Sequence, residues 1–143
     1  MSYQIFSSSN REELAAALRN GKWVVACLCA GWCGSCREYA VNFAAWAERR
    51  PEHHFVWIDI EDQADLVGDL DIDNFPTLLM QQGSTVSFFG AMEPDTRQSE
   101  RLLQALTTKS PEELEHEARA GEERLGWQEC DLQKRLDALS DAA

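Results

Sequence analysis

Two cysteines separated by two residues stand in the run Ala30-Gly31-Trp32-Cys33-Gly34-Ser35-Cys36. Three chemistries fit such a pair: an electron-carrying dithiol, half of a metal site, or two small buried hydrophobes. Five cysteines in 143 residues make the C-x-x-C spacing a weak signal by itself. Zinc takes about four ligands. The other candidates are Cys27, Cys29, Cys130, His53, His54 and His116. None completes the spacing of a zinc finger or ribbon, so no metal is assigned. The dithiol reading has a mechanism. An apolar run ends at Ala30-Gly31 and a helix begins at the cysteines. Cys33 then sits at a helix N-terminus, where unpaired N–H groups and the helix dipole favour an anion. A thiolate there is a nucleophile. Cys36 lies one turn on, close enough to bond to Cys33 and more buried. It can resolve a mixed disulfide by attacking Cys33. Gly34 eases the tight turn between the two.

The elements holding this loop alternate between strand and helix. Tyr3 to Phe6 reads as a short strand or arm. Ser9 and Glu12 offer a capping box for a helix with Leu14, Ala17 and Leu18 on its apolar face and a stop at Gly21. Trp23 to Ala30 is almost wholly apolar, which predicts a central strand buried on both faces. Tyr39 to Arg50 is helical in pattern, with Phe43, Trp46 and Ala47 on one side and Pro51 after it. Phe55 to Ile60 is a second buried strand, and Leu66 to Leu70 a short helix. Thr77–Met80 and Thr85–Phe89 straddle Gly83-Ser84 as a hairpin. Thr96 to Leu106 is the last helix of this unit. The order predicts an α/β fold with a central mixed sheet flanked by helices.

From Ser110 the composition changes. Ser110-Pro111-Glu112-Glu113 is a strong helix start. Leu114, Ala118, Leu125, Leu132, Leu136 and Leu139 lie on a helical stripe that Gly121 and Gly126 should split or fray. Ten acidic and four basic residues give this segment −6 of the chain's −12. The domains expected are therefore 1–109, carrying the cysteines, and 110–143, an acidic amphipathic helical extension. The extension either docks on the domain or offers its leucines to a partner or a second copy. The spacing of Asp131 and Arg135 stabilises a helix and carries no functional message.

Trp32-Cys33-Gly34-Ser35-Cys36 resembles the W-C-G-P-C active site of thioredoxins. Phe75-Pro76-Thr77 is similar to that family's hydrophobic-Pro-Thr segment, whose proline is cis and lies against the dithiol, and Gly90 sits where the family keeps a glycine after the hairpin. The resemblance covers about residues 1–108 and implies a thioredoxin fold. It also implies roles. Cys33 attacks and Cys36 resolves, cycling through a Cys33–Cys36 disulfide with no bound cofactor. Trp32, Gly34, Ser35, Phe75, Pro76 and Gly90 form the substrate surface, with the Phe75 backbone pairing to an extended substrate segment. Two departures stand out. Cys27 replaces a buried Asp and Trp57 the Lys that pairs with it, so a charged pair has become a thiol and an indole. Asp59, on the same strand face as Trp57, is a candidate substitute proton relay. Cys29 replaces a bulky aromatic, and both Cys27 and Cys29 read as small buried hydrophobes, the alternative being a second dithiol with a regulatory role. Arg37 either stabilises a nearby thiolate or is solvated.

These features exclude some classes. A net charge of −12 disfavours nucleic acid and anionic membrane surfaces. No apolar run is long enough to span a membrane. The N-terminus lacks a charged segment followed by an apolar one, which with unpaired cysteines predicts a cytoplasmic protein with reduced thiols. The function expected is reduction of protein disulfides through the Cys33/Cys36 dithiol and a mixed disulfide, with a thioredoxin reductase or glutathione as electron donor. The alternatives are a disulfide oxidant or isomerase, or a binding or chaperone accessory module using the cis-Pro groove and the tail.

Overall fold

A computed structural model of the chain describes residues 3–31, 33–68, 70, 72 and 76–142, with the backbone alone described at 140–142. In chain order the elements are β1 (Gln4–Ile5), α1 (Arg11–Arg19), β2 (Trp23–Cys29), α2 (Gly34–Arg49), β3 (His54–Asp59), α3 (Ala64–Val67), β4 (Thr77–Gln82), β5 (Thr85–Ala91) and α4 (Thr96–Thr107). After Ser110 come α5 (Pro111–Ala118), α6 (Glu122–Trp127), a 3-10 turn (Gln128–Cys130) and α7 (Leu132–Ala142). The sheet order is β1-β3-β2-β4-β5. β1 and β2 run parallel to β3, and β4 is antiparallel to both β2 and β5. This is the expected mixed sheet.

The alternation of side chains along β2 sorts the core into two layers. Val24, Ala26 and Leu28 join Leu14 and Leu18 of α1, Leu66 of α3, and Leu132 and Leu136 of α7. Trp23, Val25, Cys27 and Cys29 face the other way, onto Cys36, Tyr39, Phe43, Trp46 and Ala47 of α2 and Leu103 and Leu106 of α4. Every residue of β2 is buried, because both faces are covered.

Three local expectations are corrected. Ser9 does not cap α1. Asn10 holds the N-cap position without a side-chain cap bond. Its amide turns back to β1 instead, accepting from the Ser7 and Gln4 donors at 2.8 and 2.9 Å and donating to the Ile5 carbonyl at 2.8 Å. The short helix after β3 forms at Ala64–Val67, earlier than Leu66–Leu70, and ends at Gly68 with φ 59°, a left-handed turn that glycine alone adopts freely. Gly126 does not split the tail; it lies within α6, and the breaks fall at Gly121 and at the 3-10 turn Gln128–Cys130.

The tail's capping box at Ser110 and Glu113 forms as the sequence predicts. Its apolar residues do not point to a partner. Leu114 packs on the α2/α4 layer side, and Leu132 and Leu136 on the α1 side; these and Ala118 are all buried. Leu125 alone of the stripe is half exposed. The tail therefore runs around the β5 edge from one face of the sheet to the other. On the way, the Gln128 side chain accepts from the Val86 N–H (2.9 Å) and donates to the Val86 carbonyl (2.8 Å), pairing with β5 as a neighbouring strand would. Asp131 and Arg135 have separate tasks. Asp131 accepts from Gln81 and from the Gln133 N–H, and Arg135 donates to the carbonyls of Leu66 and Val67. Among the described residues no helix is long and apolar enough to cross a membrane.

Candidate active site

The site lies at one end of the sheet, where β2 ends in Cys29, β3 ends in Asp59 and β4 begins. Ala30 and Gly31 leave β2, and the Cys33 N–H donates to the Ala30 carbonyl at 3.0 Å, closing a turn that delivers Cys33 to the N-cap of α2. Cys33 is half-buried and holds a free thiol. Gly34 and Ser35 form the exposed first turn. Arg37 is exposed and donates to the Gly31 carbonyl at 3.1 Å, so it braces the loop from outside. Gly31 has a steric reason to be glycine, because a Cβ there would stand 3.0 Å from Asp59 Oδ2.

The resemblance implies a Cys33–Cys36 disulfide in the oxidised cycle, whereas this structure joins a different pair. Cys36 is bonded to Cys29, with the two Cα atoms 5.8 Å apart. The cause is the pleat of β2. Cys29 projects from the end of β2 onto the α2 face, and Cys36, on the inward side of α2, is buried directly against it. Cys33, at the N-cap, remains nearer solvent. Cys29 is thus not the inert hydrophobe that the sequence suggested, whereas Cys27 is buried and free. The Cys27 thiol donates a weak hydrogen bond to Cys29 Sγ at 3.8 Å. Burial pushes its pKa well above the ordinary thiol value. The signal for Cys29 was present in the sequence: Cys27 and Cys29 share one strand face, and that face had to meet the helix carrying Cys36.

Behind the cysteines the pocket is aromatic. Cys27 and Trp57 are direct register partners on β2 and β3. Trp57 packs against Tyr39 (6.5 Å between ring centres) and Phe43 (5.7 Å). The Tyr39 hydroxyl is buried and has no hydrogen-bond partner among the described residues. Burial first, and Cys27 second, drive its pKa far above the usual phenol range. Among the described residues, the buried members of this layer are all uncharged.

Asp59 pairs in register with Cys29, and its Oδ1 accepts the Glu61 and Asp62 N–H groups at 2.9 and 3.1 Å. The carboxylate thus anchors the turn after β3 and turns Oδ2 toward Gly31. Pro76 is buried and precedes Thr77, the register partner of Leu28, so it stands at the same end of the sheet as Cys29. Its carbonyl accepts the Met92 N–H at 3.2 Å. Gly90 lies opposite Leu78, and a Cβ on it would touch the Phe88 ring at 3.4 Å. Trp32 and Phe75 lie outside the described residues. Among the described residues, no group of three or more His, Cys, Asp or Glu side chains could hold a metal ion.

Comparison with known proteins points to one family. The thioredoxin family model matches residues 5–107. Thioredoxin H4-1 of Oryza sativa subsp. japonica is 33% identical over 93 residues, covering 61% of this chain and 71% of that protein. Thioredoxin-2 of Pyricularia oryzae is 29% identical over 76 residues, covering 53% of this chain and 44% of that protein. Among solved structures, a poplar thioredoxin h superposes with a TM-score of 0.65 at 24% identity, over 77% of this chain and all of its own length. A thioredoxin f2 structure, determined in complex with ferredoxin:thioredoxin reductase, superposes at 0.60 with 20% identity, over 73% of this chain and 94% of its own. With the fold, the Cys-x-x-Cys helix start and the family match in agreement, the chain belongs to the thioredoxin family of protein-disulfide oxidoreductases.

Proposed function

We propose that the chain reduces disulfides in protein substrates, with Cys33 as the attacking thiolate. The observation that carries this is a free, half-buried Cys33 thiol at the N-cap of α2, one helical turn from the buried Cys36. An anion at that position meets the first N–H groups of the helix. Cys33 attacks a substrate sulfur, a mixed disulfide forms, and Cys36 attacks Cys33 to release the reduced substrate. Gly34, Ser35, Pro76 and Gly90, with Trp32 and Phe75, would form the surface against which an extended substrate segment lies. Asp59, beside Gly31 in the turn, is the carboxylate we assign to proton transfer. A thioredoxin reductase or glutathione would return the enzyme to the dithiol. A reducing compartment such as the cytoplasm suits a protein carrying an accessible thiol. In this reading residues 1–109 form the catalytic unit and 110–143 its extension.

The test is insulin disulfide reduction in dithiothreitol, followed by turbidity. The unmodified chain should outpace dithiothreitol alone, and Cys33→Ser should fall to that background. Equal rates for the chain and dithiothreitol would reject the reading.

A further inference from the structure

The mechanism above uses two cysteines, yet the structure joins one of them to a third. We propose that Cys29 is a third redox residue, which takes Cys36 out of the Cys33–Cys36 disulfide and leaves the oxidised protein with Cys33 as a free surface thiol. This rests on the dithiol reading. Three observations support it. Cys29 and Cys36 are opposed across the β2–α2 interface, with a Cα separation of 5.8 Å, inside the roughly 4.4–6.8 Å span that disulfides occupy. Both are shielded from solvent, whereas Cys33 is open to it. Cys27, 3.8 Å from Cys29 through sulfur, keeps a free thiol, so the bond to Cys36 is made by Cys29 and not by its neighbour on the same strand face.

The step balances without an outside oxidant. After a substrate has been reduced, Cys33 and Cys36 share a disulfide and Cys29 is a thiol. Cys29 gives its proton to Asp59, its register partner on β3 and the carboxylate assigned above to proton transfer, and its sulfur attacks Cys36 Sγ. The Cys33–Cys36 bond breaks, and Cys33 leaves as a thiolate at the helix N-terminus, the favoured leaving position. The lone pair of Cys29 forms the new S–S bond, the pair of the broken bond leaves with Cys33, and the protein as a whole stays oxidised by one disulfide. The product retains a nucleophile but has lost its resolving thiol. It can capture a substrate disulfide as a mixed disulfide, and it holds that substrate until the Cys29–Cys36 bond is reduced. Reduction of the buried disulfide then becomes the release signal.

Disulfide mapping of the full chain decides this. The reduced protein is oxidised with diamide, blocked with N-ethylmaleimide in acid denaturant and cleaved with chymotrypsin. Cleavage after Trp32 parts Cys29 from the peptide holding Cys33 and Cys36. The expected product is a cross-linked Cys29–Cys36 peptide pair with the maleimide on Cys33. Cys29→Ser, or Cys29→Ala if the serine disturbs the core, should lose the Cys33 label on oxidation. A looped Cys33–Cys36 peptide with the label on Cys29 would overturn the proposal, as would a Cys33 label that persists in both variants. The insulin assay on the unmodified chain separates the two failures. An active chain with the looped peptide sinks the role of Cys29 alone, whereas an inactive chain sinks the dithiol reading beneath it.

Discussion

At the scale of residues, Cys33 and Cys36 are distinguished by depth more than by sequence distance. One meets solvent and the other meets the sheet. Their substitutions should therefore fail differently. Cys33→Ser removes the only cysteine among those described that is not fully buried and should abolish substrate capture. Cys36→Ser should leave capture intact and accumulate mixed disulfides on Cys33, seen as slow-migrating species on non-reducing gels that dithiothreitol collapses. Absence of such species in Cys36→Ser would reject the assigned roles. The positions of both cysteines were legible in the sequence, because a helix start and a C-x-x-C spacing are local signals. The Cys29–Cys36 bond was legible only in part: the period of β2 puts Cys29 on the face with Cys27, but its meeting with Cys36, seven residues on, depends on how α2 packs onto that face. Arg37 was ambiguous for a similar reason: its partner is a backbone carbonyl, which no sequence pattern marks.

At the scale of elements, α2 carries the site and must be held at its far end. Glu100 of α4 does this. It accepts from Trp46 Nε1 at 2.8 Å and from Arg50 Nε at 2.9 Å, joining the C-terminal end of α2 to α4. The Arg50 hydrogen bond, foremost, holds the Glu100 carboxyl below its ordinary value. A carboxylate with a lowered folded-state pKa contributes stability that is present above its unfolded value and lost as pH falls through the folded one. Thermal melts should thus show a loss on acidification below about pH 4.3, the ordinary glutamate value, and Glu100→Gln should flatten that part of the curve while lowering stability at neutral pH. An identical acid limb in the variant would contradict the assignment. The tail has its own clamp. Gln81 is fully buried, donates to Asp131 Oδ1 at 2.7 Å and to the Gly83 carbonyl at 2.8 Å, and accepts the Leu132 N–H at 2.9 Å. Gln81→Leu leaves the buried Asp131 short of a donor and should cost about 1–3 kcal/mol in urea unfolding. Strand and helix periods were plain from the sequence, whereas these buried polar ties were not, since a lone glutamine looks the same on a surface.

At the scale of the whole molecule, the extension completes the core instead of decorating it. Leu132 and Leu136 belong to the same apolar layer as α1 and α3. Leu136→Ala should therefore destabilise the entire chain by about 2–5 kcal/mol in a single unfolding transition. A loss confined to a separate tail transition would mean that the two parts fold independently. The acidic, amphipathic character of this segment was evident from residue 110 onward, yet its destination was open, because an amphipathic helix carries no address. The way the tail wraps β5 also bears on synthesis. The Gln128–Val86, Asp131–Gln81 and Arg135–Leu66 contacts span 42, 50 and 69 residues of sequence. Each must wait until residues 128–135 have left the ribosome. Until then the β5 backbone is an open pairing edge. A nascent chain stalled near residue 109 would thus be a client for chaperones, and emergence of residues 110–135 would cover that edge.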